Sequence, residues 1–186
     1  MNVNIQESGV IYGDFDACDI FAIEQSLLEH RISDKGVKTV EFILRQTHAG
    51  NHHVSLVETK SSVPRQAASF FSDIQIKMQH SLIIWFCAVA GRHAQLAKAL
   101  PVHLSHIKAL RLPLRLVLVI PELPDAILPQ MNDMFRKVLS LDRQLWGIEH
   151  SAVLVLNKAR AERLGLINRT SSTASSAAPA CSTPTA

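Results

Sequence analysis

Two short runs, Val37–Leu44 and Val54–Lys60, constrain this chain most, because each reads as a β-strand and each carries charge where a core side chain belongs. In the first, Glu41 stands among Val40, Phe42, Ile43 and Leu44. In the second, Glu58 and Lys60 are two residues apart and share one face, with Thr59 on the other. A carboxylate and an ammonium on an apolar strand are costly to bury unless they serve each other, a metal or a substrate. The intervening Gln46–His53 is polar and contains Gly50, as a hairpin connection should. A reversal near Ala49 and Gly50 puts position 41 opposite position 58. Two carboxylates facing across a ladder repel each other, and a divalent cation between them would remove the repulsion. A shift of register by one residue would instead turn one carboxylate to the other face.

The flanking sequence supplies helices and further strands. Residues 8–12 read as a short edge strand or lead-in. Gly13–Asp19 offers several helix N-caps, and a first helix continues to about His30 with Ile20, Ile23, Leu27 and Leu28 at apolar spacing. Ser33–Gly36 breaks it. After the hairpin, Pro64 opens a long helix over roughly 65–90. Phe70, Ile74, Met78 and Trp85 line its apolar face, and Asp73, Lys77 and His80 its other side. Helix resumes after Gly91 as far as Leu100, and His103–Leu110 adds a further turn. Leu114–Ile120 is a buried strand, Asp125 to about Arg143 a helix, Ser151–Leu156 a strand and Lys158–Leu164 a short closing helix. The order is α-β-β-α-β-α-β, an α/β chain with a mixed sheet flanked by helices. Residues 1–167 are expected to form one domain. The Ser/Thr/Ala/Pro-rich tail over 168–186 cannot bury a core and should be disordered.

This arrangement resembles the PD-(D/E)XK nuclease superfamily, whose restriction-endonuclease-like fold serves many restriction enzymes and Holliday-junction nucleases. Its signature is an acid on one strand and an acid-x-Lys on the next strand of a hairpin, often with another acid on the preceding helix. Glu41 matches the first acid, Glu58-Thr59-Lys60 the acid-x-Lys, and Glu24 the helical acid. The resemblance covers roughly residues 18–156. The first acid is Glu where Asp is commoner, and Val40 stands where the family's proline would be. The resemblance implies an α-β-β-α-β core and a metal-dependent nuclease that acts on DNA. Glu41, Glu58 and the Thr59 carbonyl would hold Mg²⁺ or Mn²⁺. Lys60 would place or activate a water, and Glu24 would orient a metal-bound water. A homodimer is compatible with the family.

Blander readings stand beside this one. Glu58 and Lys60 fit the solvent face of a two-sided strand. Asp73, Lys77 and His80 lie on the helix after the hairpin, where the family often carries auxiliary polar residues, but Asp73 and Lys77 also fit an i,i+4 surface pair, the reading slightly favoured for them. Of the nine histidines, His48, His52 and His53 fall in the hairpin loop, and His103 and His106 are spaced i,i+3. Neither set completes a tetrahedral zinc site, so exposed loop and helix histidines are expected. Two further functions therefore stay open: an inactive nuclease-fold module that binds nucleic acid or a protein partner, and an interaction protein whose hairpin acids are coincidental.

Composition narrows the classes further. With 186 residues, 47% hydrophobic and 19% charged, the chain can build one real core. A net charge of +3 neither marks nor excludes a nucleic-acid binder. Cys18, Cys87 and Cys181 have no metal-type spacing and fit reduced thiols in a cytoplasm. The greasiest stretch, Leu82–Ala90, is far shorter than the roughly 20 residues that span a bilayer. No secretory signal is expected at Met1–Glu7.

Overall fold

The computed structural model describes residues 2–30, 36–48, 50–64 and 67–168. In chain order the elements are β1 (Asn2–Glu7), β2 (Val10–Asp16), β3 (Ile20–Phe21), α1 (Ile23–Glu29), β4 (Phe42–His48), β5 (Asn51–Thr59), α2 (Ala67–Val89), α3 (Ala94–Ala99), β6 (Leu114–Val119), α4 (Leu128–Val138), α5 (Ser140–Leu145), β7 (Val153–Leu156) and α6 (Lys158–Arg163). A five-stranded mixed sheet has the order β3-β4-β5-β6-β7. The β3, β4 and β5 strands run antiparallel to their neighbours in turn, whereas β5, β6 and β7 run parallel.

Two-residue alternation divides the sheet into two apolar faces. Ile43, Val54, Leu56, Leu116 and Leu118 point to one, where they meet α1, α2 and α4 through Leu27, Ile74, Met78, Trp85 and Phe135. Phe42, Leu44, Val57, Val117 and Val119 point to the other, where they meet Tyr12 and Phe15 of β2 and Ala161 of α6. The central β5 is therefore buried on both faces from His53 to Thr59, which is why that run shows no clean alternation of polar residues. Helices thus cover one face of the sheet, and a hairpin with a short helix covers the other.

That hairpin corrects the reading of the first twenty residues. The strand read as one alternative at 8–12 is present but runs over 10–16 as β2, so Gly13–Asp16 are strand residues rather than helix caps. β1 pairs antiparallel with it across Ser8 and Gly9, whose φ angles of 48° and 76° are those of a type I′ two-residue turn. The Asp16 carboxylate accepts from the Cys18 backbone N–H at 2.9 Å and so closes a tight turn rather than capping a helix. The first helix begins only at Ile23.

Three other boundaries move. The strand expected from Val37 begins at Phe42, and 37–41 precede it as irregular chain. β4 and β5 run up to the reversal, so His48, His52 and His53 are strand residues rather than loop residues. The reversal itself is the step expected at Ala49 and Gly50. Gly50 has a φ of 80°, and Ala49 lies outside the described residues. The helix expected over 125–143 breaks at Leu139 into α4 and α5. The break turns the buried Asp142 carboxylate onto the side-chain amides of Gln75 and Gln79, at 2.7 and 2.8 Å.

The expected break at Ser33–Gly36 lies outside the described residues up to Lys35, and the Ser/Thr/Ala/Pro-rich tail and Cys181 lie outside them beyond Asn168. Among the described residues, no helix is long and apolar enough to cross a membrane.

Side chains of α4 help hold the edge strand β7: Arg136 donates to the Val153 carbonyl at 3.1 Å, and Asn132 makes a paired contact. Asn132 of α4 accepts from Val155 N–H at 2.9 Å and donates to the Val155 carbonyl at 3.1 Å, all buried. Removing that amide leaves a backbone donor and acceptor unpaired, and each orphan costs about 1–3 kcal/mol. Asn132→Leu should therefore lower unfolding stability by about 2–4 kcal/mol in a urea titration.

Candidate active site

The ladder between β4 and β5 pairs Phe42 with Val57, and one step beyond it Glu41 faces Glu58. Glu41 N–H donates to the Val57 carbonyl at 3.1 Å and fixes this end of the pairing. Because 41, 43, 54, 56, 58 and 60 share a face by alternation, Glu41, Glu58 and Lys60 continue the stripe of Ile43, Val54 and Leu56 toward the helices. Apolar side chains give way to charged ones where the sheet runs out. Thr59 lies on the opposite face, where its hydroxyl donates to the buried Tyr12 hydroxyl at 2.9 Å.

The stretch preceding β4 is laced to α2, which positions Glu41. Lys38 N–H donates to His80 Nδ1 at 3.1 Å, and Val40 N–H donates to the buried Ser81 hydroxyl at 2.9 Å. The Lys38 ammonium pairs with Asp73 at 2.8 Å. Asp73, Lys77 and Ser81 are spaced by four and form a polar stripe along α2 that faces residues 38–41.

Lys77 lies in the middle of that stripe. Its Nζ is 2.8 Å from Glu58 Oε1 and 3.9 Å from Glu41 Oε1. The expected Asp73–Lys77 surface pair is therefore replaced: Asp73 goes to Lys38, and Lys77 turns inward between the two carboxylates. The physical reason is charge. An ammonium gains more beside the buried Glu58 carboxylate, with the Glu41 carboxyl nearby, than beside one exposed carboxylate.

Glu58 is fully buried. Its Oε1 forms ion pairs with Lys60 at 2.7 Å and Lys77 at 2.8 Å, while Oε2 has no hydrogen-bond partner among the described residues. Burial pushes the Glu41 carboxyl up to about 8, with a hydrogen bond to the Glu24 carboxyl and the charge of Glu58 adding to the shift. Burial pulls the Lys77 ammonium down, but Glu58 and then Glu41 outweigh it and hold the group above its ordinary value.

Glu24 thus belongs to the cluster, from an exposed position on the first turn of α1. Glu7 at the end of β1 joins it: burial and then the charges of Glu24 and Glu58 raise its carboxyl. Glu7, Glu24 and Glu41 line a cavity of about 290 Å³, and Glu24 and Lys77 line an adjoining one of about 160 Å³.

The structure therefore gathers Glu24, Glu41, Glu58 and Lys60 at one end of the sheet, with Thr59 adjacent on the back. Sequence reasoning missed Glu7, whose hairpin it did not see. It assigned Lys77 to the surface, although the spacing of Asp73, Lys77 and Ser81 was a readable signal. His52, His53 and His103 sit elsewhere, bound to Arg45, Arg115 and Asp19 respectively. Among the described residues, no three His, Cys, Asp or Glu side chains are set as a ready-made metal cage.

The Glu41 proton has a sign that can be measured. Its folded-state pKa of about 8 lies above the ordinary 4.5, so the native state holds a proton that the unfolded chain has lost. The stability tied to this group is fully present below pH 4.5 and is lost as pH rises toward 8. In melts across that range, Glu41→Gln should gain on the wild type from pH 5 upward, and the gap should level off above pH 8. No protein-family model, no curated protein and no solved structure matches this chain.

Proposed function

We propose that this chain is a divalent-metal-dependent nuclease of the restriction-endonuclease-like type that cleaves DNA. The observation carrying this reading is the convergence of Glu41, Glu58 and Lys60 at one end of the sheet, with Glu24 bonded to Glu41. The sheet order supports it too, since an antiparallel hairpin followed by a helix and a parallel strand is the core that the resemblance implies.

The donors suit a hard cation. Three carboxylates lie together, and a buried carboxylate oxygen, Glu58 Oε2, is left unpartnered. Mg²⁺ commonly uses one or two carboxylates together with water and substrate phosphate, so the lack of a three-residue cage suits it. Glu41, Glu58 and the main-chain carbonyl of Thr59 would hold Mg²⁺ or Mn²⁺. When bound, the ion would polarise a phosphodiester and lower the pKa of its water.

The remaining work falls to the chain's own side chains. Lys60 pairs with Glu58 and is about a third exposed, so its ammonium would position a water or meet a phosphate oxygen arriving from solvent. Burial and the Glu24 hydrogen bond keep the Glu41 carboxyl protonated, so a metal would have to displace that proton, and Glu24 would then orient a metal-bound water. Lys77 offsets the repulsion between Glu41 and Glu58 and must yield some of its place to a divalent ion. The acids of this cluster outnumber Lys60 and Lys77, so the site would repel a phosphodiester until cations enter and Glu41 gives up its proton. Under this reading the partner is DNA, bound by one copy or a homodimer, and the setting is the cytoplasm.

The test is incubation of the purified protein with plasmid, linear DNA and RNA under Mg²⁺ and under Mn²⁺, beside a Lys60→Ala control. Cleavage of DNA that needs metal and vanishes in the variant is the expected result.

A second reading has its own observation. Lys77 already seats an ammonium 2.8 Å from Glu58, so the acids are partly neutralised without an ion. A nuclease-fold module that binds nucleic acid or a protein partner without cutting would show binding that persists in chelator and no cleavage under any metal.

A further inference from the structure

At the other end of the sheet lies a cavity of about 460 Å³, lined by Arg45, His52, His103, His106 and Lys108 with apolar Val102, Ile107, Ala109 and Leu112. It is separate from the carboxylate cluster: His52 and Glu58 sit six residues apart on β5, about 20 Å along a strand. Its volume falls within the range of about 300–1,000 Å³ typical of small-molecule sites.

The polar wall is fixed before any ligand arrives. Arg45 Nη1 donates to Asp19 at 2.8 Å, and Nη2 donates to His52 Nδ1 at 3.1 Å. The Thr47 hydroxyl also meets His52 Nδ1, at 2.7 Å; because a guanidinium only donates, that nitrogen accepts, which leaves Nε2–H as the ring's donor. His103 Nδ1 lies 2.8 Å from Asp19 and 3.2 Å from Arg45 Nη1. A guanidinium cannot accept, so the His103 proton goes to Asp19, which leaves Nε2 for a ligand. No acid lines the cavity, and the nearest, Asp19, is already engaged by Arg45 and His103. Lys108 and His106 are exposed, and among the described residues neither side chain has a hydrogen-bond or ion-pair partner.

From this wall, we infer that the cavity between Arg45, His103 and Lys108 binds a small organic phosphate. A planar guanidinium held in one orientation, the exposed Lys108 ammonium and the His52 Nε2–H, with His103 Nε2 able to accept from a phosphate hydroxyl, together match a phosphate better than a single carboxylate. The apolar side, with Val102 and Ile107 more than half exposed, provides a surface for a body of nucleoside size.

Calorimetric titration with AMP, inorganic phosphate and benzoate tests this. The full chain should bind AMP saturably. Inorganic phosphate should bind at the same site about tenfold or more weaker, and benzoate should not compete. The exposed double variant His106→Ala/Lys108→Ala should fold normally and lose about tenfold in AMP affinity, and Arg45→Met should lose more. Glu58→Gln should bind AMP as the wild type does, which separates this site from the nuclease reading. Absence of saturable AMP binding, equal binding of benzoate, or affinity unchanged in the double variant would overturn the inference.

Discussion

Glu58→Gln and Lys60→Ala should each abolish Mg²⁺-dependent cleavage, with losses on the order of 10³-fold, while the fold survives. The size follows from what each group would do: a lost charge-stabilising contact in an excluded site costs about 10²–10³-fold, and Glu58 would also take the cation with it. Survival of the fold follows from the charge balance. Glu7, Glu24, Glu41 and Glu58 outnumber Lys60 and Lys77, so removing one carboxylate relieves repulsion. Lys77 already lies 3.9 Å from Glu41 and has an acid to turn to. Lys60 is partly solvated, so its loss leaves little uncompensated. Thermal melts should show Tm unchanged or slightly raised in Glu58→Gln. A variant that still cuts at the wild-type rate would remove Glu58 or Lys60 from the chemistry.

Lys77→Met should have the opposite profile, with a large loss of stability in chelator. The buried Glu58 carboxylate keeps only Lys60, and four acids face one ammonium. Removing one partner of a buried pair costs about 3–5 kcal/mol, which at about 2–4 °C per kcal/mol for a domain of this size lowers Tm by roughly 6–20 °C. Mg²⁺ should return much of that loss in the variant and add little to the wild type, because in the wild type the ion competes with an ammonium already in place. If Mg²⁺ leaves the variant's Tm where chelator put it, the cluster takes no divalent ion, and the non-cutting module becomes the better reading.

What could be read in the sequence was the part built from near neighbours. The β4–β5 hairpin follows from two apolar runs and a glycine, and its symmetry about 49–50 sets Glu41 across from Glu58 without any tertiary information. The helices around 70–89, 128–138 and 158–163 follow from apolar spacing in the same way. What failed depended on competition between local and distant partners. Asp16 has the chemistry of a helix cap, but its oxygen bonds Cys18 two residues on, because β2 needs residues 10–16 to cover Phe42 and Val57. Asp73 and Lys77 match a surface pair by spacing, yet Lys38 captures Asp73 from 35 residues away and frees Lys77 for the acids. Glu7 escaped notice because only a folded hairpin brings it beside Glu24. The break at Leu139 is set by Gln75 and Gln79, which lie on a different helix.

The most direct measurement is calorimetric titration of Mn²⁺ into the wild type and Glu58→Gln at pH 8, in two buffers of different ionisation heat. Saturable binding with release of a proton, from a Glu41 carboxyl half-protonated at that pH, and loss of that binding in the variant is the expected result. A folded wild type that binds no Mn²⁺, or a variant that binds it as tightly and releases the same proton, would contradict a cation held by Glu41 and Glu58.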